Sequence, residues 1–91
     1  MTCYRPETTQ VVTVGAASAA TTNAVGSQTY VVRLISTTDC HVVFAGTPTA
    51  TANDMFLAAD REELFRISPG EKVAAIQNAA GGSLYVTEMT K

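Results

Sequence analysis

The stretch that most constrains this chain is residues 30–45, YVVRLISTTDCHVVFA. It holds two runs of β-branched and aromatic side chains on either side of a polar break at residues 36–39. Such side chains favour strands because they fit a pleated, half-buried surface. A break of three or four residues has the length of a hairpin loop. We therefore predict two strands, over residues 29–36 and 40–45, that pair antiparallel.

Short strands are also predicted along the rest of the chain, separated by turn residues at intervals of roughly eight to twelve residues. In the clearest turn, SPGE, Pro69 and Gly70 have the order that a type II turn requires. This spacing is typical of a sandwich or small barrel, so the predicted fold is all-β: a small antiparallel β-sandwich or jelly-roll-like barrel of about seven to eight short strands. The further strands are expected at residues 10–14, 19–25, 55–57, 63–67, 72–77 and 83–89.

The length predicts a single domain with little margin of stability. A chain of 91 residues buries only roughly two-thirds of its unfolded surface, so assembly with other copies would add burial that one copy lacks. We expect the β-sandwich domain to span residues 10–91, after a flexible N-terminal arm over residues 1–9 that contains Pro6. The arm has two interpretations: a loose terminus, or a segment that lies on a neighbouring copy with Tyr4 as its anchor.

Charge and hydropathy argue against two classes of partner. The net charge is −2 and the six basic residues are scattered among eight carboxylates, whereas nucleic-acid binding needs a clustered basic face. No window approaches the roughly 18 apolar residues of a membrane span. Met1 is followed by polar residues rather than by a signal peptide. We therefore expect a soluble protein made in the cytoplasm, with no nucleic-acid or membrane partner.

The residue types that carry chemistry do not form a known motif. Cys40 and His41 are adjacent, and neighbours in a strand point to opposite faces, so they do not favour a shared metal or proton. The acidic run at residues 60–63 lacks an EF-hand pattern and is interpreted as a solvated loop. A cupin-like enzyme would need a histidine-rich metal site, and the chain has one histidine. The prediction is a non-enzymatic protein without cofactor or metal.

Candidate interface residues come from the arm and from the faces of the predicted strands. Both faces of residues 29–36 are mostly apolar, which indicates that a partner copy covers one of them. If the two central strands pair, Val31, Ile35 and Val43 share that face. Tyr85 and Met89 are open to either a core or an interface role. The complete candidate set is Tyr4, Arg5, Val31, Arg33, Ile35, Val43, Tyr85 and Met89.

Several sequence pieces, taken in order, resemble a recurring kind of small structural protein of tailed bacteriophages. The resemblance covers residues 30–89, about two-thirds of the chain, and matches the N-terminal third less clearly. Its pieces are the Arg33-Leu34 strand leading into TTDCHVVF, the GTPTAT loop, MFLAAD, FRISPGEKVAAI and GGSLYVTEM.

The resemblance implies a compact β-sandwich or jelly roll that is present on the virion in many copies. The expected function is a capsid decoration or cement subunit that stabilises the head by multivalent binding. Its expected partners are other copies of itself, as a trimer, and the major capsid protein or another virion protein. The alternative is a phage tail or fibre adaptor, or a glycan-binding β-sandwich module, although the chain has no Trp to stack on a sugar.

Overall fold

A computed structural model describes residues 5–27 and 29–90 of the chain. These residues form strands and loops, with no helix among them. The prediction of an all-β fold is therefore confirmed. The eight strands are β1 (Arg5–Val14), β2 (Ala19–Ala20), β3 (Val31–Ser36), β4 (Cys40–Ala45), β5 (Met55–Leu57), β6 (Glu63–Arg66), β7 (Lys72–Gln77) and β8 (Gly82–Thr90).

The strands form two four-stranded antiparallel sheets, which is consistent with a small β-sandwich. Sheet A has the order β1-β8-β3-β6 and sheet B has the order β2-β7-β4-β5. Alternate residues of each strand point into the space between the sheets, where they form one apolar core. The largest buried side chains of this core are Val14, Val32, Leu34, Leu57, Val73, Leu84 and Val86.

The predicted hairpin between the two central strands is wrong. Strands β3 and β4 lie in different sheets: β3 pairs with β8 and β6, whereas β4 pairs with β7 and β5. The physical reason is that other strands pair with both edges of each: β8 and β6 flank β3, and β7 and β5 flank β4, so neither strand has an edge left for the other. Both strands still bury inner-face side chains such as Leu34 and Val42.

The hydrogen bonds of the connector at residues 36–39 stabilise a crossing from one sheet to the other rather than a tight hairpin. The Ser36 hydroxyl donates to the carbonyl of Thr38 and accepts from its amide. Thr37 exchanges hydrogen bonds with Ser83 at the start of β8, through its amide and its hydroxyl. The Asp39 carbonyl accepts from the amide of Asn78, just after β7. Each sheet therefore supplies partners for one end of the connector.

Strand β1 is longer than the sequence predicts. It begins at Arg5, opposite Thr90, so residues 5–9 of the expected arm pair with β8, while residues 1–4 lie outside the described residues. The register shifts between Pro6 and Thr9, which marks a bulge or irregularity near the proline. Because proline cannot donate to a ladder, this position on an edge strand suits it.

Two further segments differ in how closely they follow the prediction. Of the strand expected over residues 19–25, the structure keeps only the edge strand β2; Thr21 and Val25 continue along β7 through isolated backbone hydrogen bonds to Val73 and Glu71. The type II turn at residues 68–71 is confirmed, because Gly70 has a φ of 86° and the Glu71 amide donates to the Ser68 carbonyl.

Candidate interaction surfaces

Cys40 and His41 point to opposite sides of sheet B, as the strand period predicts. Cys40 is buried in the core and His41 lies on the outer face. Among residues 5–27 and 29–90, no three His, Cys, Asp or Glu side chains come close enough to hold a metal ion. The pair therefore has no geometry for shared chemistry.

The environment of the Cys40 thiol keeps it protonated. Burial raises the pKa of Cys40 above its ordinary value; a hydrogen bond with Ser36 opposes the shift, and the charge of Asp39 adds to it. A reactive thiol needs the reverse, a lowered pKa and access to solvent. The thiol of Cys40 thus acts as a small core side chain.

His41 ties two loops to the outer face of sheet B. Its Nδ1 donates to the carbonyl oxygen of Asp54 at 3.0 Å, since a carbonyl only accepts, and its Nε2 lies 3.2 Å from the side-chain amide of Asn78. The ring also meets Phe56 edge-on, with 5.5 Å between ring centroids. Both ring nitrogens and one ring edge are engaged within the chain, so the histidine has a structural role here.

The outer face of sheet A carries several exposed apolar side chains. We call it the sheet A face. Its side chains stand in rows across neighbouring strands, because the register places Val11, Tyr85 and Ile35 side by side. The adjacent row crosses all four strands, and a third row lies beyond it. These two rows are Thr9, Thr87, Arg33 and Leu64, and then Met89, Val31 and Arg66.

The sheet A face exposes more apolar side chains to solvent than the outer face of a solvated sheet normally does. Val11 is 57% exposed, Leu64 53% and Tyr85 40%. An antiparallel sheet with one face in water normally alternates apolar and polar residues, with the polar ones outside. A cluster of exposed apolar side chains in place of that pattern is typical of an interaction site.

Three polar side chains of the sheet A face, Arg33, Thr9 and Thr87, have partners within the chain. The Arg33 guanidinium donates to the carboxylate of Glu62 through Nε, at 2.8 Å, and through one terminal nitrogen. The hydroxyls of Thr9 and Thr87 are hydrogen-bonded at 3.0 Å. Beside the Arg33–Glu62 pair, a groove of about 470 Å³ is lined also by Glu63, Leu64 and Met89.

A second apolar surface covers the outside of sheet B. Val43 lies opposite Ala74, and His41 lies between Ile76 and Phe56 across the strands. Phe56 is 50% exposed on the short edge strand β5. We call these five residues the sheet B face. Of these five, Phe56 is exposed, His41, Val43 and Ile76 are half-buried and Ala74 is buried, so the exposed apolar surface of sheet B is centred on Phe56.

The structure gathers five of the eight candidate interface residues on the sheet A face. The prediction that Val43 shares a face with Val31 and Ile35 is wrong, because β4 belongs to the other sheet. Arg5 begins β1, and Tyr4 lies outside the described residues. The five residues brought together are Val31, Arg33, Ile35, Tyr85 and Met89.

Sequence reasoning missed several members of both faces. Val11 sits in QVVTV, where the strand period sends one of two adjacent valines outward, so alternation was a usable signal. Phe56 is flanked by Met55 and Leu57, so only the sheet register shows which side it takes, whereas Leu64 alternates with Phe65 and shares the side of Arg66. Glu88 was missed as well; it is only 9% exposed on the inner face of β8.

Comparison of the chain with protein-family models, with curated proteins and with solved structures finds no match. Within the part of the chain that the structure describes, no helix is long and apolar enough to cross a membrane.

Proposed function

We propose that this chain is a non-enzymatic structural protein of a tailed-bacteriophage virion, a capsid decoration or cement subunit. It is made in the host cytoplasm and located on the virion. Its partners are other copies of itself and the major capsid protein or another virion protein. The trimer expected from the sequence stays a prediction.

The observation that carries the proposal is the presence of exposed apolar side chains on the outer faces of both sheets, Val11, Leu64 and Tyr85 on sheet A and Phe56 on sheet B. A subunit that reinforces a shell must contact at least two neighbours, so it needs separate contact surfaces. The sheet A face offers Val11 and Tyr85, and the sheet B face offers Phe56 and Val43. A monomer that worked alone in water would gain nothing from leaving both faces apolar.

The resemblance to phage structural proteins supports the same function. Its pieces run from β3 through the connector to β4, and then cover the following loop, β5, the β6–β7 turn and β8. They include strands of both sheets, so a shared sequence pattern there fits a shared small β-sandwich.

The proposed mechanism is binding without chemistry. Each copy makes a modest contact, and the symmetry of the shell repeats that contact over many copies. Linking weak contacts raises the overall avidity by roughly 10² or more, because the second contact forms at a high effective concentration. The shell is then stabilised without any single strong interface.

The test is binding to capsids of the encoding phage that were purified without this chain. We expect the purified chain to cosediment with emptied capsids to saturation and to raise their temperature of disruption. Thr22→Lys is the matched control: Thr22 is an exposed loop residue outside both faces, so it should bind like the natural chain. Val43→Lys places the same charge on the sheet B face and should weaken binding at least tenfold if that face meets the shell.

Two outcomes would overturn the proposal. One is a folded chain that does not cosediment with capsids and leaves their disruption temperature unchanged. The other is binding to isolated tails but not to heads, which would assign the chain to the adaptor alternative.

A further inference from the structure

The four sheet edges of this sandwich are poor sites for adding another strand. Edge strands normally invite pairing, and natural proteins blunt them by shortness, proline or bulges. Strands β2, β5 and β6 have two, three and four residues. The long edge strand β1 is interrupted by its shift between Pro6 and Thr9. Its middle is tied to the loop after β2, because the Gln10 side chain exchanges two hydrogen bonds with the backbone of Asn23.

Association through a face is therefore favoured over association through an edge. The sheet A face has more exposed apolar side chains than the sheet B face, since Val11, Leu64 and Tyr85 are exposed on it against Phe56 on the other. Two sheet faces can stack with about 10 Å between them, as the two sheets of a sandwich do. We propose that the sheet A face packs against the sheet A face of a second copy, in a two-fold symmetric dimer.

The charges of the face fit a second copy better than a charged partner. Arg33 stands in the middle row, and Glu62 already neutralises it within the same chain. Arg66, the other charged residue of the face, lies at its corner on the edge strand β6, so two identical faces can meet without a like-charge clash at their centres. The threonine hydroxyls beside Arg33 are bonded to each other, so stacking leaves no hydroxyl of this pair without a partner.

The area of the face predicts a weak dimer. Four strands about 4.8 Å apart and three rows about 6.8 Å apart give a footprint of roughly 20 by 20 Å once side chains are added. A pair of such footprints gives on the order of 800–1,000 Å², below the roughly 1,200 Å² at which standard interfaces begin. We therefore expect a dissociation constant of about 10 µM to 1 mM, so that the chain is monomeric when dilute and dimeric at the high local concentration on a shell.

The dimer supplies the contact between copies that the proposed function needs, and the biological use of the dimer rests on that function. The test of the dimer does not depend on the proposed function. Sedimentation equilibrium of the purified chain from about 1 µM to about 2 mM covers the expected range of the dissociation constant. Val11→Lys and Tyr85→Lys each place a charge on the sheet A face. Each should weaken the dimer at least tenfold. Phe56→Lys is the matched control, since Phe56 has similar exposure on the opposite sheet.

A second measurement needs no substitution. On dilution of the labelled natural chain, amide signals of β3 and β8 should shift, and those of β4 and β5 should stay in place. Circular dichroism melts confirm that each variant is folded.

Three results would overturn the dimer: a monomer at about 2 mM, a trimer, which is the rival assembly expected from the sequence, or a dimer that Phe56→Lys disrupts and Val11→Lys does not. A dimer that fails to bind capsids would overturn the proposed function instead, and a chain that binds capsids as a monomer would overturn the dimer alone.

Discussion

Glu88 on β8 accepts a hydrogen bond of 2.7 Å from the hydroxyl of Thr29, a residue 59 positions earlier in the chain. The same carboxylate oxygen accepts from the amide of Gly26 at 3.0 Å. Both donors lie in the loop that leads into β3, and the carboxylate sits on the inner face of sheet A opposite Val32. A nearly buried carboxylate in an apolar core is stabilised only by such donors, so this contact anchors the loop to the sheet.

Replacing Glu88 with alanine should lower the free energy of unfolding by about 2 kcal/mol, because two donors lose a charged acceptor. Glu88→Gln keeps an acceptor oxygen and should recover part of this loss. Urea denaturation measures both. Glu62→Ala is the matched control: its ion pair with Arg33 is exposed, so its removal should cost less than about 1 kcal/mol. Equal losses from the two alanine variants would contradict the anchoring role.

Replacing Gly81 with alanine should destabilise the fold by about 1–3 kcal/mol, as overpacking does. A Cβ at this position would lie 2.8 Å from the backbone oxygen of Val14, which cannot move without disturbing the β1–β8 pair. At Gly46 no atom lies within 4 Å of an added Cβ, so Gly46→Ala should change stability by less than about 0.5 kcal/mol. Thermal unfolding of both variants tests this prediction, and similar melting temperatures would contradict the expected clash at Gly81.

Replacing Thr21 with valine should cost about 1–3 kcal/mol, although valine has the same shape. The buried Thr21 hydroxyl accepts a hydrogen bond of 3.2 Å from the amide of Val73 on β7, and valine would leave that amide without its acceptor. Thr22→Val makes the same chemical change one residue later on an exposed side chain, and we expect little effect. The denaturant midpoints of the two variants test this prediction. A lower midpoint for Thr22→Val than for Thr21→Val would contradict the role of the Thr21 hydroxyl.

Stability should fall at alkaline pH because of Cys40. Burial raises the pKa of the folded thiol above its ordinary value. Between the ordinary and the raised pKa the folded chain therefore binds more protons than the unfolded chain, and the free energy of unfolding decreases as the pH rises. The contribution is complete below the ordinary thiol pKa. In urea titrations across this window, Cys40→Ala should show a shallower pH slope than the natural chain; parallel slopes would exclude the thiol as the cause.

The strands were largely predictable because their information is local. Short runs of strand-forming side chains between turn residues placed β4, β5 and β7 at their observed residues, and SPGE gave its turn. These signals depend on neighbours in sequence and on the geometry of a few torsions. The same local signals indicated that Cys40 and His41 point apart.

The assignment of strands to sheets was not predictable in the same way. A four-residue break suits both a hairpin and a crossing, and the choice depends on contacts that Thr37 makes with Ser83, far along the chain. Val43 was placed on the wrong face for this reason. The full length of β1 was also missed, because the partner of residues 5–9 is β8 rather than a nearby strand.

The central position of β8 has a consequence for the order of events during synthesis. In sheet A, β8 lies between β1 and β3, although it follows all seven other strands in the sequence. Until the ribosome has released β8, only the β3–β6 pair of this sheet can form, and β1 has no neighbour. Sheet B also waits for a late strand, because β7 lies between β2 and β4 and follows both in the sequence. The surface formed by Val11, Tyr85 and Ile35 therefore comes into existence only as the fold is completed, which prevents half-made chains from joining one another through it.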